Sequence, residues 1–99
     1  MNTFEVEEAT PSEFIDRVRR ELSERGLSQY VEIEGSGAGL VVKFRWMGST
    51  ELRYRVEEEG DGFRAVLNGQ SISPFHAPFR QKFDDQFDRI LEKVGARRV

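Results

Sequence analysis

The chain has 99 residues and no cysteine, and 15 basic against 18 acidic side chains leave it a net charge of −3. That length holds one modest hydrophobic core, and the missing cysteines exclude a disulfide framework and thiolate metal sites. The near balance of charge speaks against wholesale nucleic-acid binding, although a local basic patch can act against the global sign.

Only 37% of the residues are apolar, but 11% are aromatic, and large rings bury enough area to offset the shortage. No apolar run nears the roughly 18–20 residues that a membrane span requires. Residues 1–10 are acidic and lack the basic start and apolar stretch of a signal peptide. A cytoplasmic protein with no membrane partner is the expectation.

In chain order, residues 3–7 alternate (Phe4, Val6) and predict an edge strand. Thr10, Pro11 and Glu13 then read as N-cap, first helical residue and the reciprocal partner of a capping box. Phe14, Ile15, Val18 and Leu22 follow at helical spacing, and Gly26 closes a helix over residues 11–25. Strands are predicted over 29–34, 39–47, 51–58 and 62–67, separated by glycine-containing turns. Asn68-Gly69 is a strong hairpin signal, which predicts a fifth strand over 70–73. A second helix over 77–94 starts with Pro78 at its first position, carries Phe79, Phe83, Phe87, Ile90, Leu91 and Val94 on one side, and stops at Gly95. Lys93, Arg97 and Arg98 suit its C-terminal dipole.

These elements predict one α+β domain over residues 1–99. It is a two-layer sandwich in which a four- to five-stranded antiparallel meander carries both helices on one face. The other face is left to water, as antiparallel sheets allow. Alternation assigns Lys43, Arg45, Arg53, Arg55 and Arg64 to that open face. Setting apolar residues opposite each other pairs Trp46 with Leu52, Phe44 with Tyr54 and Val42 with Val56, and hence Arg45 with Arg53 and Lys43 with Arg55. The first hairpin sets Ile33 against Leu40, and the third sets Val56 against Ala65 and Glu57 against Arg64. Directly opposed like charges cost about 0.2–1 kcal/mol each. A block of Lys43, Arg45, Arg53 and Arg55 is therefore a candidate binding site for an anionic ligand, nucleic-acid phosphate or an acidic protein. Glu32, Glu34, Glu51 and Glu57 share the face and offer those cations local partners, with Glu57 the expected partner of Arg64.

Other chemistry is sparse. Gly35-Ser36-Gly37-Ala38-Gly39 is followed by a strand, whereas a phosphate loop opens a helix. His76 is the only histidine, and no strained nucleophile turn surrounds Ser71 or Ser73. Asp84 and Asp85 point about 100° apart on a helix, and Glu57-Glu58-Glu59 blunts a strand end. The proline-flanked segment holding Phe75 and His76 is a secondary binding candidate. The phenylalanines at four-residue spacing, from Phe75 to Phe87, read as core. The α-β-β-β-α order is shared with double-stranded-RNA-binding domains, but Ala77-Pro78-Phe79-Arg80-Gln81-Lys82 has two cations and lacks their basic signature, so no family is assigned. The expectation is a non-enzymatic interaction module with no catalytic residue, metal or cofactor. It would bind another protein, or a second copy of itself, through the open sheet face or an edge strand, with an anionic or nucleic-acid partner as the alternative.

Overall fold

The computed structural model describes residues 1–99, the side chain of Ser36 excepted. The chain is α+β. In order it forms β1 (Thr3–Val6), α1 (Pro11–Glu24), β2 (Val31–Ser36), β3 (Gly39–Arg45), β4 (Ser49–Glu59), β5 (Gly62–Ser71), a 3₁₀ turn at Ala77–Phe79, α2 (Arg80–Lys93) and β6 (Ala96–Arg98). The six strands make one antiparallel sheet in the order β2-β3-β4-β5-β1-β6. Among the described residues, no helix is long and apolar enough to cross a membrane.

The capping box at α1 is present: the Glu13 amide donates to Thr10 Oγ1 and the Thr10 amide donates to Glu13 Oε1, both at 3.1 Å. At the other end Gly26 takes φ +71°, a left-handed turn that costs glycine little. The amides of Leu27 and Gly26 then reach back to the carbonyls of Leu22 and Ser23, the paired closure of a Schellman motif. Between these ends Phe14, Ile15, Val18 and Leu22 are buried.

Both helices press on the same sheet face. Phe14 of α1 lies between Phe4 of β1 and Phe63 of β5, with ring centroids 5.6 Å apart in each case, and Phe4 also meets Tyr54 at 5.4 Å. Under α2, Phe44 of β3 contacts Phe83 and Phe87 edge-on. Edge-to-face rings of this kind add to the area they bury. The Tyr54 hydroxyl donates to the Met1 carbonyl at 2.8 Å, and burial pushes its phenol up from the ordinary tyrosine range.

Several expectations are corrected. The sheet has six strands, not four or five. Residues 3–6 do not form an edge strand: β1 sits between β5 and β6, and β6 is a strand the sequence reading did not include. Asn68-Gly69 does not turn the chain, and residues 70–73 are not a separate strand. Instead β5 continues to Ser71 opposite the 11-residue β4, with a bulge that places Arg53 across from Gly69 and Tyr54 across from Leu67. A hairpin signal fails here because β4 is long enough to keep pairing. Gly69 serves close approach instead: a Cβ there would lie within 2.9 Å of the Arg53 guanidinium.

The third hairpin has the expected register, with Val56 across from Ala65 and Glu57 across from Arg64. The other two are shifted. Val42 faces Leu52 and Lys43 faces Glu51, while Ile33 faces Val42 and Glu32 faces Lys43. Between β3 and β4 the cause is the short loop Trp46-Met47-Gly48, where Met47 and Gly48 both have positive φ, +53° and +146°; between β2 and β3 it is the tight Gly37-Ala38 turn, closed by Ser36 across from Gly39. Trp46 consequently lies past the end of β3 rather than opposite Leu52.

Candidate functional site

On the open face, the shifted register separates the four cations expected to form a block. Lys43 lies across from Glu51, Arg53 from Val41, Arg55 from Gly39 and Arg45 from Ser49. Each also has a glutamate in reach. Arg45 Nη1 donates to Glu32 Oε1 at 3.1 Å and Arg55 Nη2 donates to Glu57 Oε1 at 2.9 Å. Arg53 and Glu51 are 3.6 Å apart, and Lys43 and Glu34 3.9 Å.

Arg64 pairs with Glu5 at 2.6 Å and with Glu59 at 3.6 Å. Its expected partner Glu57 turns to Arg55 instead. The insertion of β1 beside β5 explains the difference, because it brings Glu5 alongside. Arg97 of β6 reaches the same Glu5 carboxylate from the other side at 2.8 Å. The two guanidinium groups hold the Glu5 carboxyl below the ordinary glutamate range, with the Arg64 hydrogen bond the larger cause. The open face therefore holds its cations in ion pairs rather than as a free block, each with a carboxylate within 4 Å.

The second candidate, Phe75 and His76, belongs to a differently built surface. The Ser73–Ala77 segment is clasped to the β3–β4 turn by one chain of hydrogen bonds. The Ser73 amide donates to Thr50 Oγ1 at 3.0 Å, Thr50 Oγ1 lies 2.6 Å from His76 Nδ1, and His76 Nε2 lies 2.6 Å from the Trp46 carbonyl. A carbonyl only accepts, so Nε2 carries a proton and donates. Thr50 Oγ1, which accepts from the Ser73 amide, shares its other hydrogen bond with Nδ1. Both ring nitrogens of His76 are thus engaged, and Ser73 Oγ accepts the Phe75 amide at 3.2 Å. The hollow beneath His76, between Thr50, Leu52, Ile72 and Phe83, measures only about 20 Å³, room for a water and little more. Gly48 closes the clasp: a Cβ there would sit 2.3 Å from Ser73 Oγ.

The clasp holds an unusual amount of apolar surface in water. Trp46 is 55% exposed, Met47 69%, Phe75 63% and Phe79 55%. Phe75 and Phe79 were expected in the core with the rest of the phenylalanine stripe. The 3₁₀ turn at Ala77–Phe79 breaks the helical spacing, so only Phe83 and Phe87 follow the core side of α2. Beside Trp46 runs a groove of about 280 Å³ between α2 and the end of β2 and β3. Its walls include Leu27, Tyr30, Trp46, Phe83, Phe87 and Ile90, and it has no ionised side chain in its lining.

Sequence reasoning placed Phe75 and His76 in a display loop but missed Trp46, Met47, Tyr30 and the groove. The readable signal was Met47-Gly48 at the end of an alternating run, where a turn would have expelled Trp46 from the strand. Elsewhere, Asp84 binds Arg80 and Asp85 binds the Gln81 amide, so the adjacent aspartates serve different partners. Among the described residues there is no cluster of three or more histidine, aspartate or glutamate side chains able to hold a metal. Comparisons with protein-family models, with curated proteins and with solved structures found no match to this chain.

Proposed function

We propose that this chain is a non-catalytic interaction module that binds another polypeptide through its apolar end. One observation carries the reading: Trp46, Met47, Phe75 and Phe79 are more than half exposed on segments tied together by the Ser73–Thr50–His76–Trp46 chain. The largest exposed apolar patch on a protein is often its functional surface, and a rigid one loses little conformational freedom on binding. The site belongs in an aqueous compartment, and the cytoplasm is the compartment we assign.

The alternative, an anionic ligand or nucleic acid on the open face, has less support. Lys43, Arg45, Arg53 and Arg55 each have a glutamate within 4 Å, and an incoming phosphate would have to displace it. Photo-crosslinking in the source cell tests the choice, with benzophenone-alanine replacing either Phe75 or Arg53. Polypeptide adducts from position 75, absent from position 53, are the expected result. Nucleic-acid adducts from position 53 alone would overturn it.

A further inference from the structure

We infer that the occupant of the apolar groove is a second copy of this chain, Met47 of each molecule seated in the groove of the other. The inference rests on the reading of the apolar end as a binding surface and names its partner.

Met47 supplies the first argument. Its φ of +53° is a conformation that glycine or asparagine adopts more cheaply than a long side chain does. Its side chain is 69% exposed, so little of its own chain is stabilised by it. A residue that costs the turn and contributes little to the core has its use outside the molecule. The groove one residue away supplies the second argument. At about 280 Å³ it admits one or two large side chains and is too small for a helix. Its walls of Tyr30, Trp46, Phe83 and Phe87 suit a flexible thioether, which packs well against aromatic rings. A knob beside a matching hollow on one surface is the self-complementary arrangement of a two-fold interface, in which both contacts form at once.

Area and charge agree. Tyr30, Trp46, Met47, Phe75 and Phe79 are each roughly half exposed; with large side chains contributing about 150–250 Å² apiece, they offer roughly 500 Å² per molecule. Two copies would bury roughly 1,000 Å², the lower bound for a specific contact, which fits a dimer that forms at micromolar concentration. The uncharged lining brings no like charges together, although each molecule carries −3. The open edge of β2 is a poorer route to a dimer. Arg19 Nε already occupies the Ile33 carbonyl at 3.2 Å, and an antiparallel two-fold at Ile33 would set Glu32 of each copy against Glu34 of the other.

Sedimentation velocity on the purified chain, from nanomolar to high micromolar concentration, tests this. The mass is expected to rise from one chain toward two and to be little changed by added salt. Met47→Gly suits the backbone it occupies, so it should fold at least as well while raising the dissociation constant tenfold or more. Gln86→Lys, on the groove rim, should also abolish the rise, whereas Arg53→Glu should leave it unchanged. A chain that remains monomeric throughout, or a Met47→Gly variant that dimerises like the parent, overturns the inference. If crosslinking from position 75 still captures a different polypeptide in that case, the binding role of the apolar end stands without the dimer. If it captures none, both fall.

Discussion

Lys43 stands directly across from Glu51 in the β3–β4 ladder, and Glu32 stands directly across from Lys43 on its other side. One cation is thus flanked by two carboxylates in neighbouring strands. A register two residues away in each strand would have put Arg55 in the place of Glu51.

That relationship is measurable. Lys43→Glu should destabilise the fold by about 1 kcal/mol by placing like charges across both neighbouring strands. Adding Glu51→Lys should recover part of it, giving a coupling of about 0.2–1 kcal/mol in a double-mutant cycle read by urea unfolding. The same cycle between positions 43 and 55 should show none. Coupling at 43/55 in place of 43/51 would refute the register.

Thr50 is the hub of the clasp. Thr50→Val keeps the shape but removes the acceptor of the Ser73 amide, a hydrogen bond formed in buried surroundings. Leaving that donor unmatched should cost about 1–3 kcal/mol. Hydrogen exchange should accelerate in residues 73–79 and at the Trp46–Gly48 turn, while α1 is unaffected. Uniform acceleration across the chain would show that the clasp does not act locally.

Acid should weaken the fold through Glu5. Its folded-state carboxyl is held below the ordinary range by Arg64 and Arg97, so its contribution is fully present above the unfolded value of about 4.3. That contribution disappears as pH falls through the lowered native value. Glu21, held down by Arg25 and then Lys93, acts in the same direction. The stability difference between neutral and acid solution should therefore be smaller in Glu5→Gln than in the parent, measured by denaturant titration at each pH.

Gly62 tests the central position of β1. A Cβ at Gly62 would lie 1.9 Å from the Val6 carbonyl oxygen and 2.9 Å from Glu7 Cα. Both atoms are main chain and cannot rotate away. Gly62→Ala should cost about 3 kcal/mol or more. An alanine tolerated without a change in unfolding midpoint would mean that β1 does not pack there.

What the sequence made legible followed from local chemistry. Thr10 with Glu13 announced the start of α1 and Gly26 its end, because the groups that cap a helix lie within about a turn of its ends in sequence. Alternation from Leu40 to Leu67 assigned the two sheet faces correctly. It could not assign the register of β3 on β4, because an even shift returns each side chain to its own face. The loop decided that, and its one trace in the sequence is Met47-Gly48 at the end of the alternating run. The pairing of β1 with β6 was hidden for another reason: Phe4 and Arg98 are neighbours across the sheet but lie at opposite ends of the chain. The candidate site suffered from both. Its cations were read from a register that does not form, and Trp46 was assigned to a strand that ends before it.

The bulge at Asn68 works as a counting device. Each residue of β5 after it sits one step further along β4 than an unbroken ladder would allow, so Gln70 meets Leu52 and Ser71 meets Glu51. Carried on by the same step, Ile72 arrives over Thr50 on the side of the helices, and Ser73 comes within reach of the Thr50 hydroxyl. Were Asn68 instead to take a regular place opposite Arg53, the parity of everything downstream would reverse, turning Ile72 to solvent and carrying Ser73 out of position. The display of Trp46 and Phe75 is in this sense set by arithmetic along a strand, at a residue that touches neither of them.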